Sequence, residues 1–154
     1  MYIALVLKLM LILPVSSVVV GRNFFNSNAG ILLLAGRWFV FWGVGIRLIS
    51  AGARQVMNPG FTAETILGLK TTESWLVLRE LGFANIAIGT VALGSVYAHS
   101  WLTPSAVAGA IFYGLAGTNH LVQKSRNRLQ NLAMLSDLFI CGLLCSYCLA
   151  VAAR

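Results

Sequence analysis

The chain has 154 residues, of which 58% are hydrophobic and only 10% are charged, and its mean hydropathy is +0.84. A soluble globular domain carries about 25% charged residues, so this composition excludes an ordinary soluble domain and predicts a lipid bilayer as the solvent. The net charge of +7 does not predict a nucleic-acid partner, because most basic residues lie near the ends of apolar runs, where lipid headgroups and the positive-inside rule account for them.

Five apolar runs each reach the length of about 20 residues that a membrane-spanning helix needs. They cover residues 2–20, 31–52, 75–97, 104–122 and 131–153. We therefore predict an all-α, polytopic helical bundle with five transmembrane helices, a four-helix core plus an N-terminal helix, forming a single transmembrane domain over residues 1–154. A cleaved signal peptide is the alternative for the first run, but Lys8 inside it and the lack of a cleavage pattern favour a retained span.

The longest stretch between runs extends from Arg54 to Ser74 and contains the turn signal Asn58-Pro59-Gly60. The apolar residues that follow predict a short amphipathic or re-entrant helix at the membrane interface, around residues 61–70. Glu64 in this helix has two interpretations, a solvated side chain or a contributor to a polar site nearby.

Small residues recur along the third and fourth runs and predict close helix–helix packing. The residues expected at these contacts are Gly82, Gly89, Ala106, Ala110 and Gly114.

Basic residues predict the orientation of the five spans. Five of them fall on one side, namely Arg54, Lys70, Lys124, Arg126 and Arg128, against Arg22 and Arg154 on the other. The richer side is expected to be cytoplasmic, which places the N-terminus in the cytoplasm of a cell, most simply at a bacterial inner membrane.

Ionisable residues inside the spans form the most informative pattern. Arg47, Glu80, His120 and Asp137 come from four different antiparallel spans. At a rise of 1.5 Å per residue, each lies roughly 3–10 Å inside the cytoplasmic boundary, and Asn85 lies deeper. The sequence therefore predicts a buried polar layer.

This layer has three interpretations. It is a structural staple in which Arg47 pairs with Glu80 or Asp137 and the remaining polar groups complete hydrogen bonds. It is alternatively a ligand or proton site, in which Glu80 and His120 relay protons and Arg47 holds the head group of a quinone, a carboxylate or a lipid. The third interpretation is a docking surface for another subunit.

The absence of known catalytic and metal-binding motifs gives no support for an enzyme. The sequence contains no P-loop, Rossmann or HExxH pattern, so we assign no catalytic residue and no metal. Cys141, Cys145 and Cys148 share one helix face and are interpreted as small apolar packing residues.

A set of short motifs resembles uncharacterised bacterial integral membrane proteins related to the DoxX-like superfamily. The matching residues are Gly45, Pro59, Ala63, Glu64, Gly68, Glu80, Gly82, Asn85, Gly89, Gly117, His120 and either Asn131 or Asn127. The resemblance implies a compact unit of four or five helices. Because some DoxX-like proteins are subunits of quinone-linked sulfur oxidation, it also implies that a quinone is a reasonable ligand.

Two functions are expected on these grounds. The first is a structural or accessory subunit, or a scaffold, that packs against other membrane proteins or against copies of itself. The alternative is a redox-associated or transport-like unit whose polar layer binds a quinone or a small anion. Membrane lipids are expected partners, and a quinone or a bound lipid is the candidate cofactor.

Overall fold

Helices account for almost all of the computed structural model, which describes residues 2–24, 30–69 and 71–154. Within these residues there are six helices and no strand, which confirms the all-α class. We number the helices α1 (residues 2–24), α2 (Ile31–Met57), α3 (Phe61–Leu67), α4 (Ser74–Gly94), α5 (Leu102–Val122) and α6 (Arg128–Ala152).

Four of these helices, α1, α2, α4 and α6, are long and apolar enough to cross a membrane. The predicted fourth run forms α5, which has 21 residues, the same length as α4. Helix α5 is not among the four candidate spans. The structure therefore supports four candidate spans, and the count of five stays a prediction.

The core of the bundle lies around the middle of α2. Helix α2 packs along α4, α5 packs along α6, and α2 also contacts α6 and α1. Val40, Val44 and Leu48 of α2 are almost completely buried, as is Ile140 of α6. Their burial follows from spacings of four residues, which place side chains on one face of a helix.

The first apolar run belongs to the bundle. Val6 and Met10 of α1 lie in the same hydrophobic core cluster as the central residues of α2. The indole Nε1 of Trp42 donates a hydrogen bond of 3.0 Å to the hydroxyl of Ser17, which ties the second half of α1 to α2.

The small residues named from the sequence lie at helix contacts. Ala106 and Ala110 of α5 are buried. A Cβ atom added at Gly82 would lie 2.9 Å from the carbonyl oxygen of Gly52, and one added at Gly89 would lie 2.8 Å from the carbonyl oxygen of Gly45. Helices α2 and α4 therefore approach each other through backbone atoms. At Gly114 an added Cβ would lie 3.0 Å from the Cys141 sulfur.

The predicted interfacial helix is α3, and it is shorter than expected. Its hydrogen bonding is of the π type over Phe61–Leu67. Thr62 and Ile66 are buried, whereas Glu64 is exposed. Gly68, with φ of 72°, ends the helix, because a left-handed residue cannot continue it. Lys70, at the predicted end, lies outside the described residues.

The loop between α5 and α6 is organised by one arginine that the sequence analysis used only for orientation. The Nη1 atom of Arg126 donates to the carbonyl oxygens of His120, Leu121 and Gln123 at 3.1, 2.9 and 2.8 Å. Its Nε atom donates to Oδ1 of Asn131 at 2.9 Å. Arg126 thus caps the carboxyl end of α5, where unsatisfied carbonyls and the helix dipole favour a cation.

Arg126→Ala is expected to lower the free energy of unfolding by about 1–2 kcal/mol, because charge-assisted hydrogen bonds are stronger than neutral ones but this side chain is half-exposed. Unfolding in mixed micelles of mild and denaturing detergent measures the change. Arg128→Ala removes an exposed arginine two residues away and is the matched control. Equal losses for the two variants would contradict the capping role.

Candidate ligand-binding pocket

A buried ion pair joins α2 to α6. The Nη2 atom of Arg47 lies 2.9 Å from Oδ1 of Asp137, and the two side chains are 13% and 7% exposed. The guanidinium also lies over the ring of Tyr113, with its Cζ atom 4.9 Å from the ring centroid. Of the two acids proposed from the sequence as partners of Arg47, the structure selects Asp137.

Glu80 does not belong to this polar layer, and its predicted placement is wrong. Its side chain is exposed. The buried residues of α4 include Leu78, Gly82, Asn85 and Gly89, which share one face because each step of three or four residues returns to the same side at about 100° per residue. Glu80 lies nearly opposite that face. The prediction for Glu80 rests only on its depth in the membrane. Which residues meet also depends on the direction in which each side chain points around the helix axis.

Asn85 pairs with a residue that the sequence analysis missed. Its Nδ2 atom donates a hydrogen bond of 2.8 Å to Oε1 of Gln55, and both side chains are buried. The apolar run ends near Gly52, which predicts that Gln55 lies in a loop. Helix α2 instead continues to Met57, which brings Gln55 into the bundle. The sequence feature that could have identified Gln55 is the helical spacing of residues, which continues past the end of the apolar run near Gly52.

Two buried polar atoms next to this pair lack a hydrogen-bond partner among the described residues. They are Oδ1 of Asn85 and Nδ1 of His120. Asn85 is 2% exposed and His120 is 8% exposed. A buried polar atom without a partner costs free energy and calls for an explanation, such as a bound molecule.

A partly open pocket of about 180 Å³ connects these groups. Its walls come from all six helices and are mainly apolar. The polar residues that line it are Arg47, Ser50, Arg54, Gln55, Thr62, Asn85, His120 and Asp137. An apolar cavity of roughly 150 Å³ holds a benzene molecule, so this pocket has room for one six-membered ring with small substituents. It is far wider than a single water molecule.

The peripheral helices close one side of the pocket. Helix α1 contributes Leu5 and Leu9, and α3 contributes Ile66 and Leu67. Glu64 of the same α3 is not among the lining residues and is exposed, which agrees with the solvated interpretation. The Nδ2 atom of Asn127, at the start of α6, donates to the carbonyl oxygen of Thr65 at 3.4 Å and holds α3 near the bundle.

The charged residues that line the pocket are two arginines, Arg47 and Arg54, and one carboxylate, Asp137. Arg54 also lies over the ring of Phe61, with its Cζ atom 4.9 Å from the centroid. Within the described part of the chain, no group of three His, Cys, Asp or Glu residues lies close enough to hold a metal ion. The polar groups of the pocket therefore present hydrogen-bonding and charge contacts for an organic ligand.

The fold and the pocket together define a helical bundle of the membrane-spanning type with an internal polar site. The chain belongs to DUF6790, a family of unknown function, whose model matches residues 1–153. No curated protein and no solved structure matches the chain. The family match carries no likeness to DoxX-like proteins, so that relationship stays a prediction from the short motifs.

Proposed function

We propose that this protein is an integral membrane protein that binds the head group of a small molecule, a quinone or a small anion, in the pocket between its helices. The observation that carries the proposal is the pocket itself, which combines ring-sized volume with two buried polar atoms left without partners in the described residues. Ligand pockets are typically apolar with a few convergent polar groups, and this one has that composition.

The apolar and the polar residues of the pocket suit different parts of a ligand. The apolar side chains of α1 and α3 suit a hydrocarbon ring or tail that arrives from the lipid. Asn85, His120 and the Arg47–Asp137 pair line the same pocket, where they suit oxygen atoms of a head group. Ionisable groups in a membrane interior are costly and commonly mark functional sites.

The topology that we propose has five spans, with α5 as the fifth. Helix α5 is about 30 Å long, which matches the hydrocarbon thickness of a bilayer, and it packs along α6. In a bacterial inner membrane with a cytoplasmic N-terminus, the loop around Ser125 then lies in the cytoplasm. A cysteine introduced at Ser125, in a variant without the native cysteines, should react with a membrane-impermeant thiol reagent only after the inner membrane has been permeabilised.

A second candidate function is an accessory subunit that packs against another membrane protein or against a second copy. It is favoured by the outer face of α4, where Arg79 and Glu80 are exposed beside Leu76 and Val77, each 66% exposed. Charged groups on a lipid-facing surface are costly unless they reach the headgroups or a partner. Cross-linking from a photoreactive residue at Phe83 would capture a protein partner under this function and lipid alone otherwise.

The binding function is tested by ligand-dependent thermal stability. Decylubiquinone, benzoate and extracted membrane lipids are added separately to the protein in mild detergent, and we expect at least one to raise the Tm, because a ligand that binds only the folded state stabilises it. Ala116→Phe fills the pocket and should abolish the shift. Leu115→Phe, at the neighbouring position that is 69% exposed, should retain it. A Tm that no addition changes would reject the pocket as a binding site.

A further inference from the structure

One of the two polar atoms without partners can only accept a hydrogen bond. The Nδ2 atom of Asn85 donates one hydrogen bond to Gln55, and the Asn85 atom that is buried without a partner in the described residues is the carbonyl oxygen Oδ1, which has no proton to donate. Asn85 and His120 come from α4 and α5, and both line the same pocket. A ligand that satisfies Asn85 must therefore bring an O–H or N–H group of its own.

His120 fits the same ligand. A neutral imidazole with its proton on Nε2 presents Nδ1 as an acceptor, and Nδ1 is the nitrogen that is buried without a partner in the described residues. The carboxyl end of α5, where His120 lies, is held by Arg126 through the His120 carbonyl oxygen. The acceptor nitrogen is thus carried on a backbone segment that is itself tied in place.

The charge and size of the pocket further limit the class of ligand that it can bind. Asp137 already lies 2.9 Å from Arg47 and pairs with it. A carboxylate placed against Oδ1 of Asn85 would set two acceptor atoms against each other, which is repulsive. The volume suits one six-membered ring.

We infer that the pocket prefers a neutral six-membered ring that carries hydroxyl groups, such as a hydroquinone, over the corresponding quinone and over an anion. This inference rests on the proposed function, since it names the class of ligand for the same pocket. Asn85 and His120 are then the residues that determine specificity, because a site built to accept hydrogen bonds discriminates against an analogue that lacks the donor.

Three small probes of similar ring size test the inference on the unaltered protein. Trimethylhydroquinone, kept reduced under anaerobic conditions, carries two donors; trimethylbenzoquinone carries acceptors alone; benzoate carries a negative charge. Titration calorimetry in detergent should give a Kd for the hydroquinone at least about tenfold lower than for either of the others. Equal or tighter binding of the quinone or of benzoate would overturn the inference and leave the binding function standing. Failure of all three probes to bind would count against both.

A variant at Asn85 tests whether this residue causes the preference for the hydroquinone over the quinone. Asn85→Leu removes the acceptor oxygen and should reduce the ratio of the quinone Kd to the hydroquinone Kd by about fivefold or more. Asn119→Leu, an exposed position on α5, is the matched control and should keep the ratio. A ratio unchanged in Asn85→Leu would overturn the role of Asn85. If Asn85→Leu does not fold, the comparison of the three probes on the unaltered protein decides alone.

Discussion

Asp137→Asn is expected to lower the free energy of unfolding by about 3 kcal/mol, toward the lower end of the range for breaking a buried ion pair. The substitution keeps the shape of the side chain but removes the charge that lies 2.9 Å from Arg47. The Arg47 side chain, which is 13% exposed, then keeps its charge without the Asp137 carboxylate, in a place where desolvation is costly. Its contact with the Tyr113 ring persists, and for this reason we expect the lower end of the range.

Unfolding in mixed micelles, followed by circular dichroism, measures the change. Glu80→Gln is the matched control: it also neutralises a carboxylate within a spanning helix, but that side chain is exposed, so we expect a change within about 0.5 kcal/mol. The double variant Arg47→Met with Asp137→Leu should recover most of the loss, since an apolar pair of similar size commonly replaces a buried ion pair without cost. Equal effects of Asp137→Asn and Glu80→Gln would contradict the pairing seen in the structure.

Gly52→Ala is expected to cost about 2 kcal/mol net. The new Cβ atom would lie 2.5 Å from the carbonyl oxygen of Gly82 and 2.8 Å from a side-chain carbon of Ile86. Backbone atoms cannot turn away as a flexible side chain does, so α2 and α4 must separate. Overpacking costs about 1–3 kcal/mol, and because both contacts are shorter than 3.0 Å we expect the upper end of this range. Subtracting the gain of roughly 1 kcal/mol that alanine brings over glycine within a helix leaves the expected net cost.

The control for Gly52→Ala is Gly142→Ala on α6. Among the described residues, nothing lies within 4 Å of a Cβ added there, so only the helix-propensity gain applies and the variant should be neutral or slightly more stable. The same unfolding measurement compares the two. A Gly52→Ala variant as stable as Gly142→Ala would mean that α2 and α4 do not meet through their glycines.

The polar layer shows how far sequence reasoning extends to the site. Arg47, Asn85, His120 and Asp137 line one pocket, and their similar depth within the spans stays a prediction from the sequence. Glu80 was placed by the same reasoning and lies outside, because depth says nothing about direction around the helix. The spacing of Leu78, Gly82, Asn85 and Gly89 contained that direction, since it defines the packed face of α4.

Gln55 and Arg126 were missed for a different reason. Gln55 lies near the end of α2 and Arg126 lies in the loop after α5, where hydropathy no longer marks the helix boundary. Gln55 is buried only because α2 continues past its apolar run. Arg126 matters only because its loop folds back over the end of α5. Contacts of this kind depend on which segments of the chain fold back against each other, and the local sequence pattern does not contain that information.

The sequence by itself determined the helical class, the membrane-length apolar runs, the small residues at helix contacts and the approximate depth of the buried polar groups. These are local properties, set by hydropathy, by periodicity and by the rise per residue of a helix. Only the tertiary structure decided that Asp137 and not Glu80 meets Arg47, that α1 packs into the bundle, and that a ring-sized pocket remains beside Asn85 and His120. Each of these depends on the rotation and separation of several helices at once, which their packing against one another sets.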